Sequence, residues 1–135
     1  MNRYKLPDGK FIEYVDMLGM RAKETKASGL YYCCIVAANI TPSGNCLHII
    51  WELHDSETGL EYNVISKYEI GSEEYYELIS KLYDTYSGII EVNLNDFDKF
   101  YGSCRVDYAG EYPKVNIVGY TQKIVSAITK KLCNI

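Results

Sequence analysis

The residues best suited to nucleophilic or metal chemistry in this 135-residue chain are two histidines and five cysteines. Cys46 and His48 stand two apart in a strand-like run, so their side chains share one face. A thiol nucleophile there would need the basic ring to make its thiolate. The pair reads instead as packing, because a free Cys behaves as a small hydrophobe. A zinc site from Cys46, His48, His54 and Cys104 fits no known ligand spacing, so no metal is expected. No pair of cysteines has C-x-x-C spacing, and Cys34, Cys46 and Cys104 occupy apolar strand positions. They are expected to be reduced core residues of a cytoplasmic protein. The carboxylate pair Glu73-Glu74 opens a helix, where capping explains it. No glycine-rich phosphate loop is present. The chain is therefore read as non-enzymatic, with no cofactor.

A different chemistry, stacking plus cation, suits another set. His48, Asn63, Lys67, Arg105, Tyr112 and Lys114 are polar, cationic or aromatic residues on strand faces or hairpin loops. Bases could lie on Tyr112 or His48 while Lys67, Arg105 and Lys114 meet phosphates. Charge sets the terms for this. The net charge is −4, which disfavours unselective binding to a polyanion. Its distribution is uneven: residues 1–27 carry a net +2, residues 28–101 a net −9 and residues 102–135 a net +3. If the basic ends meet, a positive strip forms on an acidic protein. Fourteen tyrosines against three phenylalanines suit half-exposed sheets and contact surfaces, because the ring packs while the hydroxyl stays wet.

The elements that would position these residues follow from periodicity. Length and a 47% hydrophobic content predict one domain over residues 1–135, with a single modest core and no membrane-spanning segment. Residues 1–28 form a lead-in. Pro7-Asp8-Gly9 marks a turn, and Phe11, Tyr14, Val15 and Leu18 recur at helical spacing. Strands are predicted over Leu30–Ile40, Cys46–Leu53, Leu60–Ile70, Ser103–Tyr108 and Pro113–Val118. The first is apolar on both faces, so it should be central or strongly curved, and covered on both sides. In the second, Leu47, Ile49, Trp51 and Leu53 form the core set. In the third, Leu60, Tyr62, Val64, Tyr68 and Ile70 face inward while Ile65 and Lys67 face away. Thr41–Asn45 and His54–Gly59 supply hairpin loops.

Between the third and fourth strands, Ser72 caps a helix over Glu73–Tyr86 with an apolar stripe of Tyr75, Leu78, Ile79 and Leu82. A short helical turn capped by Asn93 or Asn95 turns Leu94, Phe97 and Phe100 inward. Thr121 begins a C-terminal helix over residues 121–133. The fold class is mainly β with helices (α+β). Its strand order is that of a five-stranded OB-like barrel over residues 30–119. The alternative is an α+β sheet with helices on one face.

The run Ile35-Val36-Ala37-Ala38-Asn39, the strand Leu47-His48-Ile49-Ile50-Trp51-Glu52-Leu53, the acidic loop ending in Gly59 and the later Phe100–Val106 and Tyr112–Val115 segments carry a resemblance. They resemble a family of small phage and mobile-element proteins of unassigned function, suspected OB-fold single-stranded-DNA binders. The resemblance covers roughly residues 30–119. It implies a non-catalytic single-stranded nucleic-acid-binding protein, with the groove on strands two and three. The alternative is an acidic protein-binding module, such as an inhibitor of a host nuclease or defence complex acting by nucleic-acid mimicry. Glu57, Glu61, Glu69, Glu73, Glu74, Glu77, Asp84, Glu91, Asp96 and Asp98 would carry its charge, with Tyr75 or Tyr76 as anchors.

Overall fold

The computed structural model describes residues 2–6, 8–15, 30–84, 92–107 and 114–125. A two-stranded hairpin comes first, β1 (Asn2–Lys5) and β2 (Phe11–Tyr14), followed by β3 (Leu30–Ile40), β4 (Cys46–Asp55) and β5 (Glu61–Glu69). Helix α1 (Glu73–Leu82), the two-residue β6 (Tyr83–Asp84), a 3-10 helix (Leu94–Lys99), β7 (Tyr101–Asp107), β8 (Lys114–Gln122) and β9 (Ile124–Val125) complete the order.

The main sheet is antiparallel, with strand order β5-β4-β3-β7-β8. Its ladder does not join β5 to β8, so the sheet is open and the expected closed OB barrel does not form. Helix α1 lies at that seam: Tyr68 of β5, Leu78 of α1 and Val115 and Ile117 of β8 line one cleft. Glu74 of α1 pairs with Lys114 of β8 at 3.2 Å. The helix thus takes the place that a β5–β8 ladder would need.

Alternation explains the inner face. Leu47, Ile49, Trp51 and Leu53 of β4 stand opposite Tyr68, Ser66, Val64 and Tyr62 of β5, and all are buried. Tyr31, Cys33 and Ile35 of β3, Cys104 of β7 and Val115 and Ile117 of β8 continue this core. Helix α1 closes it with Leu78, Ile79 and Leu82. The 3-10 helix, capped by Asn93, adds Phe97, and Phe100 follows it into the core. Trp51 meets Phe100 edge to face at 6.4 Å.

Several expectations are corrected. β3 is central, as its composition suggests, but its outer face is open where Tyr32 stands 60% exposed. A bulge at Val36 bends the strand instead. Leu60 is exposed, whereas Ile65 is buried. Ile50 and Ile65 face away from the main core, yet each is only 1% exposed. They lie on the side where the β1–β2 hairpin docks, through Tyr4 to His48 and Glu13 to Asn63. That hairpin replaces the helical spacing read at Phe11–Val15. Gly9, at a φ of +90°, makes its turn with Leu6 accepting from the Gly9 amide.

Ser72 Oγ accepts from the Tyr75 amide to start α1. The helix ends at Leu82 rather than Tyr86, because Tyr83 is extended and buried. Thr121 and Gln122 finish β8, and Ile124–Val125 pair with β6 in parallel. The expected helix from residue 121 is therefore absent over 121–125, and the remainder of that expectation lies outside the described residues. Cys33 and Cys104 are core thiols, while Cys34 and Cys46 are only half-buried.

Candidate functional site

The residues predicted to form one groove do not converge. His48 stands opposite Asn39 of β3 and Lys67 of β5. Arg105 stands opposite Leu30 of β3 and Asn116 of β8. Asn39 and Leu30 are nine positions apart along β3, which is about 30 Å at the rise of an extended strand. His48 and Lys67 therefore mark one end of the outer sheet face, and Arg105 the other.

Each of the remaining predicted positions also has a local setting. Tyr4 Oη lies 2.9 Å from His48 Nδ1, and the two rings meet edge to face at 5.6 Å. Burial, aided by the Lys67 charge, pushes the His48 ring below the usual imidazole range. Asn63 donates through Nδ2 to the Glu13 carbonyl, and its backbone carbonyl accepts from the Val15 amide. Lys114 is held by Glu74. Tyr112 lies outside the described residues. The zinc set imagined from Cys46, His48, His54 and Cys104 is also dispersed. Cys104 is buried in the core opposite Tyr31, and Cys46 is opposite Glu69 at the far end from His54.

The structure instead assembles a patch on the outer face of β3, β7 and β8. Tyr32 stands opposite Ser103 and Cys34 opposite Tyr101. Tyr32 and Tyr101 are therefore diagonal neighbours, about 7–8 Å apart by strand geometry, and are 60% and 50% exposed. Along β7, Tyr101, Ser103 and Arg105 alternate onto this face. On β8, Gln122, Gly119 and Asn116 stand opposite them. Two large rings thus stand exposed side by side on the central strands of the open sheet. The Lys99 carbonyl accepts from Gln122 Nε2 at 2.7 Å, which ties the end of β8 to the start of β7 beside Tyr101.

Toward β4 the patch runs into a groove lined by Tyr32, Cys34, Glu52, His54, Tyr101 and Thr121. Glu52 and His54 alternate onto this face. His54 stands opposite Glu61 in the β4–β5 register. The imidazole sits between two carboxylates, with Nε2 2.7 Å from Glu52 Oε1 and Nδ1 3.1 Å from Glu61 Oε1. Cys34 is across from Glu52. Burial, then Glu52 and Cys33, pushes its thiol up, which suppresses thiolate chemistry.

The sequence signals for these residues were weak for specific reasons. Tyr31 and Tyr32 are chemically identical, so alternation could not show that one is buried and the other exposed. Tyr101 precedes the start assigned to its strand. His54 falls in a segment read as loop. The signal that would have extended β4 is Asp55, whose Oδ1 accepts from the Glu57 and Thr58 amides in an Asx turn. No family model, curated protein or solved structure matches this chain.

Proposed function

We propose that the protein binds single-stranded nucleic acid without catalysis, on the outer face of β3, β7 and β8. The observation that carries this reading is the diagonal pair Tyr32 and Tyr101, exposed on adjacent central strands with Arg105 on the same face. Each ring offers a stacking surface that accepts any base, and the guanidinium offers a phosphate contact. Ser103, Asn116 and Gln122 add hydroxyl and amide groups for hydrogen bonds. An acidic chain can bind in this way because stacking, rather than charge neutralisation, supplies the free energy.

The test is fluorescence anisotropy of a labelled oligothymidine across a salt series. Tyr32→Ala and Tyr101→Ala should each weaken binding by about 5- to 150-fold, the equivalent of about 1–3 kcal/mol per stacked base. Each phosphate contacted contributes about −0.7 to the slope of log K against log salt on a single strand. A platform with one guanidinium should therefore show a shallow slope. Affinity unchanged by both tyrosine variants would overturn the proposal.

A second reading has its own observation. Tyr76 stands 62% exposed on α1, one turn after Glu73, and Glu57, Glu61 and Glu69 are exposed on β5 or the loop before it. Exposed carboxylates with an aromatic anchor are what a nucleic-acid mimic would present to a basic protein. Oligonucleotide binding that is absent, together with capture of a basic nucleic-acid-binding protein lost in Tyr76→Ala, would favour it.

A further inference from the structure

We propose that Glu52, His54 and Glu61 form a binding site for a single divalent metal ion of the zinc class. The proposal does not depend on the nucleic-acid reading. Glu52 and His54 are two apart on β4 and so share a face, and Glu61 stands directly opposite His54 on β5. The hairpin joining the two strands is pinned. The Asp55 amide donates to the Leu60 carbonyl, and the Gly59 amide donates to the Asp55 carbonyl, both at 2.9 Å. Asp55 Oδ1 accepts from two further amides, and Gly59 takes the positive φ of +70° that the turn requires. The three ligand-bearing positions are therefore set by paired backbone rather than by a free loop, which favours a defined metal geometry.

One nitrogen and two carboxylate oxygens, one from each side chain, lie within 4.8 Å of one another. A zinc ion at about 2.0–2.2 Å from each ligand needs these atoms about 3.4 Å apart. Glu61 lies on the Nδ1 side of the ring and Glu52 on the Nε2 side, so a single ion at Nε2 requires Glu61 to swing from Nδ1 toward Glu52; its side chain is 64% exposed and can rotate without moving the strand. One imidazole nitrogen and two carboxylates carry lone pairs that a dication can take together, and its two positive charges would balance the two carboxylates.

The donor types choose among metals. Imidazole with carboxylate suits zinc and its first-row neighbours. Calcium and magnesium need six or more oxygens, or keep most of their water. Three protein ligands leave a coordination position open, and the groove at Tyr32, Cys34 and Tyr101 adjoins the cluster. Cys34, across from Glu52, is a half-buried sulfur ligand that lines the groove.

The chain has only two histidines, so imidazole NMR reads the site without any substitution. Zn2+ added to untagged full-length protein, with no oligonucleotide present, should shift or broaden the His54 ring resonances and leave those of His48 in place. Calorimetry should give one Zn2+ per chain. Affinity should fall at least tenfold in His54→Gln and in Glu61→Gln, remain unchanged in His48→Gln, and be absent for Mg2+. Co2+ in place of Zn2+ would show a sulfur-to-metal absorption band if Cys34 joins the site, and Cys34→Ser would remove that band. Failure of Zn2+ to perturb the His54 ring, or uptake that survives His54→Gln, would overturn the proposal. Neither result would bear on oligonucleotide binding.

Discussion

Gly102→Ala tests the junction that positions Tyr101. Gly102 sits on the inner face of β7, opposite Tyr120 of β8, at a point where the ladder shifts register. A Cβ built there would lie 2.5 Å from the Gly119 carbonyl oxygen and 2.8 Å from a Phe100 ring carbon. Ordinary contact begins near 3.4 Å, so β7 and β8 must part by about 0.9 Å, the difference between 3.4 and 2.5 Å. The oxygen belongs to backbone and cannot rotate away. The Phe100 ring is fully buried and held edge-on against Trp51. The cost is that of overpacking, about 1–3 kcal/mol, and the backbone clash places it in the upper half of that range. Gly119→Ala is the internal control. Its Cβ meets only the Ser103 hydroxyl, at 2.9 Å, and that side chain can turn aside, so the cost should stay below about 1 kcal/mol. Urea denaturation followed by the fluorescence of the single tryptophan, Trp51, reports both stability and the packing of Phe100. A Gly102→Ala midpoint equal to that of wild type, or to that of Gly119→Ala, would refute the packing described for β7 and β8.

Three further outcomes follow from the site geometry. The His48 ring is held below its ordinary value by burial and Lys67, so the unfolded chain binds the proton more readily near pH 6. Its contribution to stability is present above an unfolded pKa of about 6.5 and is lost as pH falls through the lower folded value. Denaturation at pH 7.5 and pH 5.5 should therefore show a drop that is smaller in His48→Gln; an equal drop in both proteins would contradict the assigned burial. Among the four cysteines described, alkylation of the native protein should reach Cys46 first. Cys34 should follow more slowly, because burial and Glu52 raise its thiol, and the buried Cys33 and Cys104 should react only on unfolding. Peptide mass spectrometry over a time course gives the order, and early labelling of Cys104 would count against its core position. Lys114→Ala, which breaks the exposed pair with Glu74, should change stability by less than about 1 kcal/mol. A larger loss in calorimetry would mean that α1 is latched to β8 mainly by charge.

The parts of the fold legible in sequence are those where two faces differ chemically. Leu47, Ile49, Trp51 and Leu53 form an unbroken apolar set that alternates with the mixed set Cys46, His48, Ile50 and Glu52, and they are buried on β4. Ser72 and Asn93 each read as a cap because their side chains compete for backbone amides, and both accept from one. The mainly β character with few helices follows from the same patterns. Sheet closure does not, because nothing in the local residues says whether β5 meets β8 or α1 intervenes. The lead-in misled for a related reason: Phe11, Tyr14 and Val15 fit helical spacing, but Lys5 pairs with Phe11 in a hairpin whose cause is the turn at Gly9. The candidate site was least legible. Arg105 is legible as a cation on a strand face, whereas the exposure of Tyr32 and Tyr101 is not, because it depends on which side the core forms. The docking of Tyr4 on His48 is a contact across 44 positions, beyond any periodicity.

The most direct measurement is an amide NMR titration of the isotope-labelled full chain with a short oligothymidine at low salt. The account predicts that the largest shift changes fall on Tyr32, Cys34, Tyr101, Ser103 and Arg105, with His48 and Lys67 at the opposite end of β4 and β5 little affected. No change at saturating oligonucleotide, or changes confined to the His48 and Lys67 end, would contradict it.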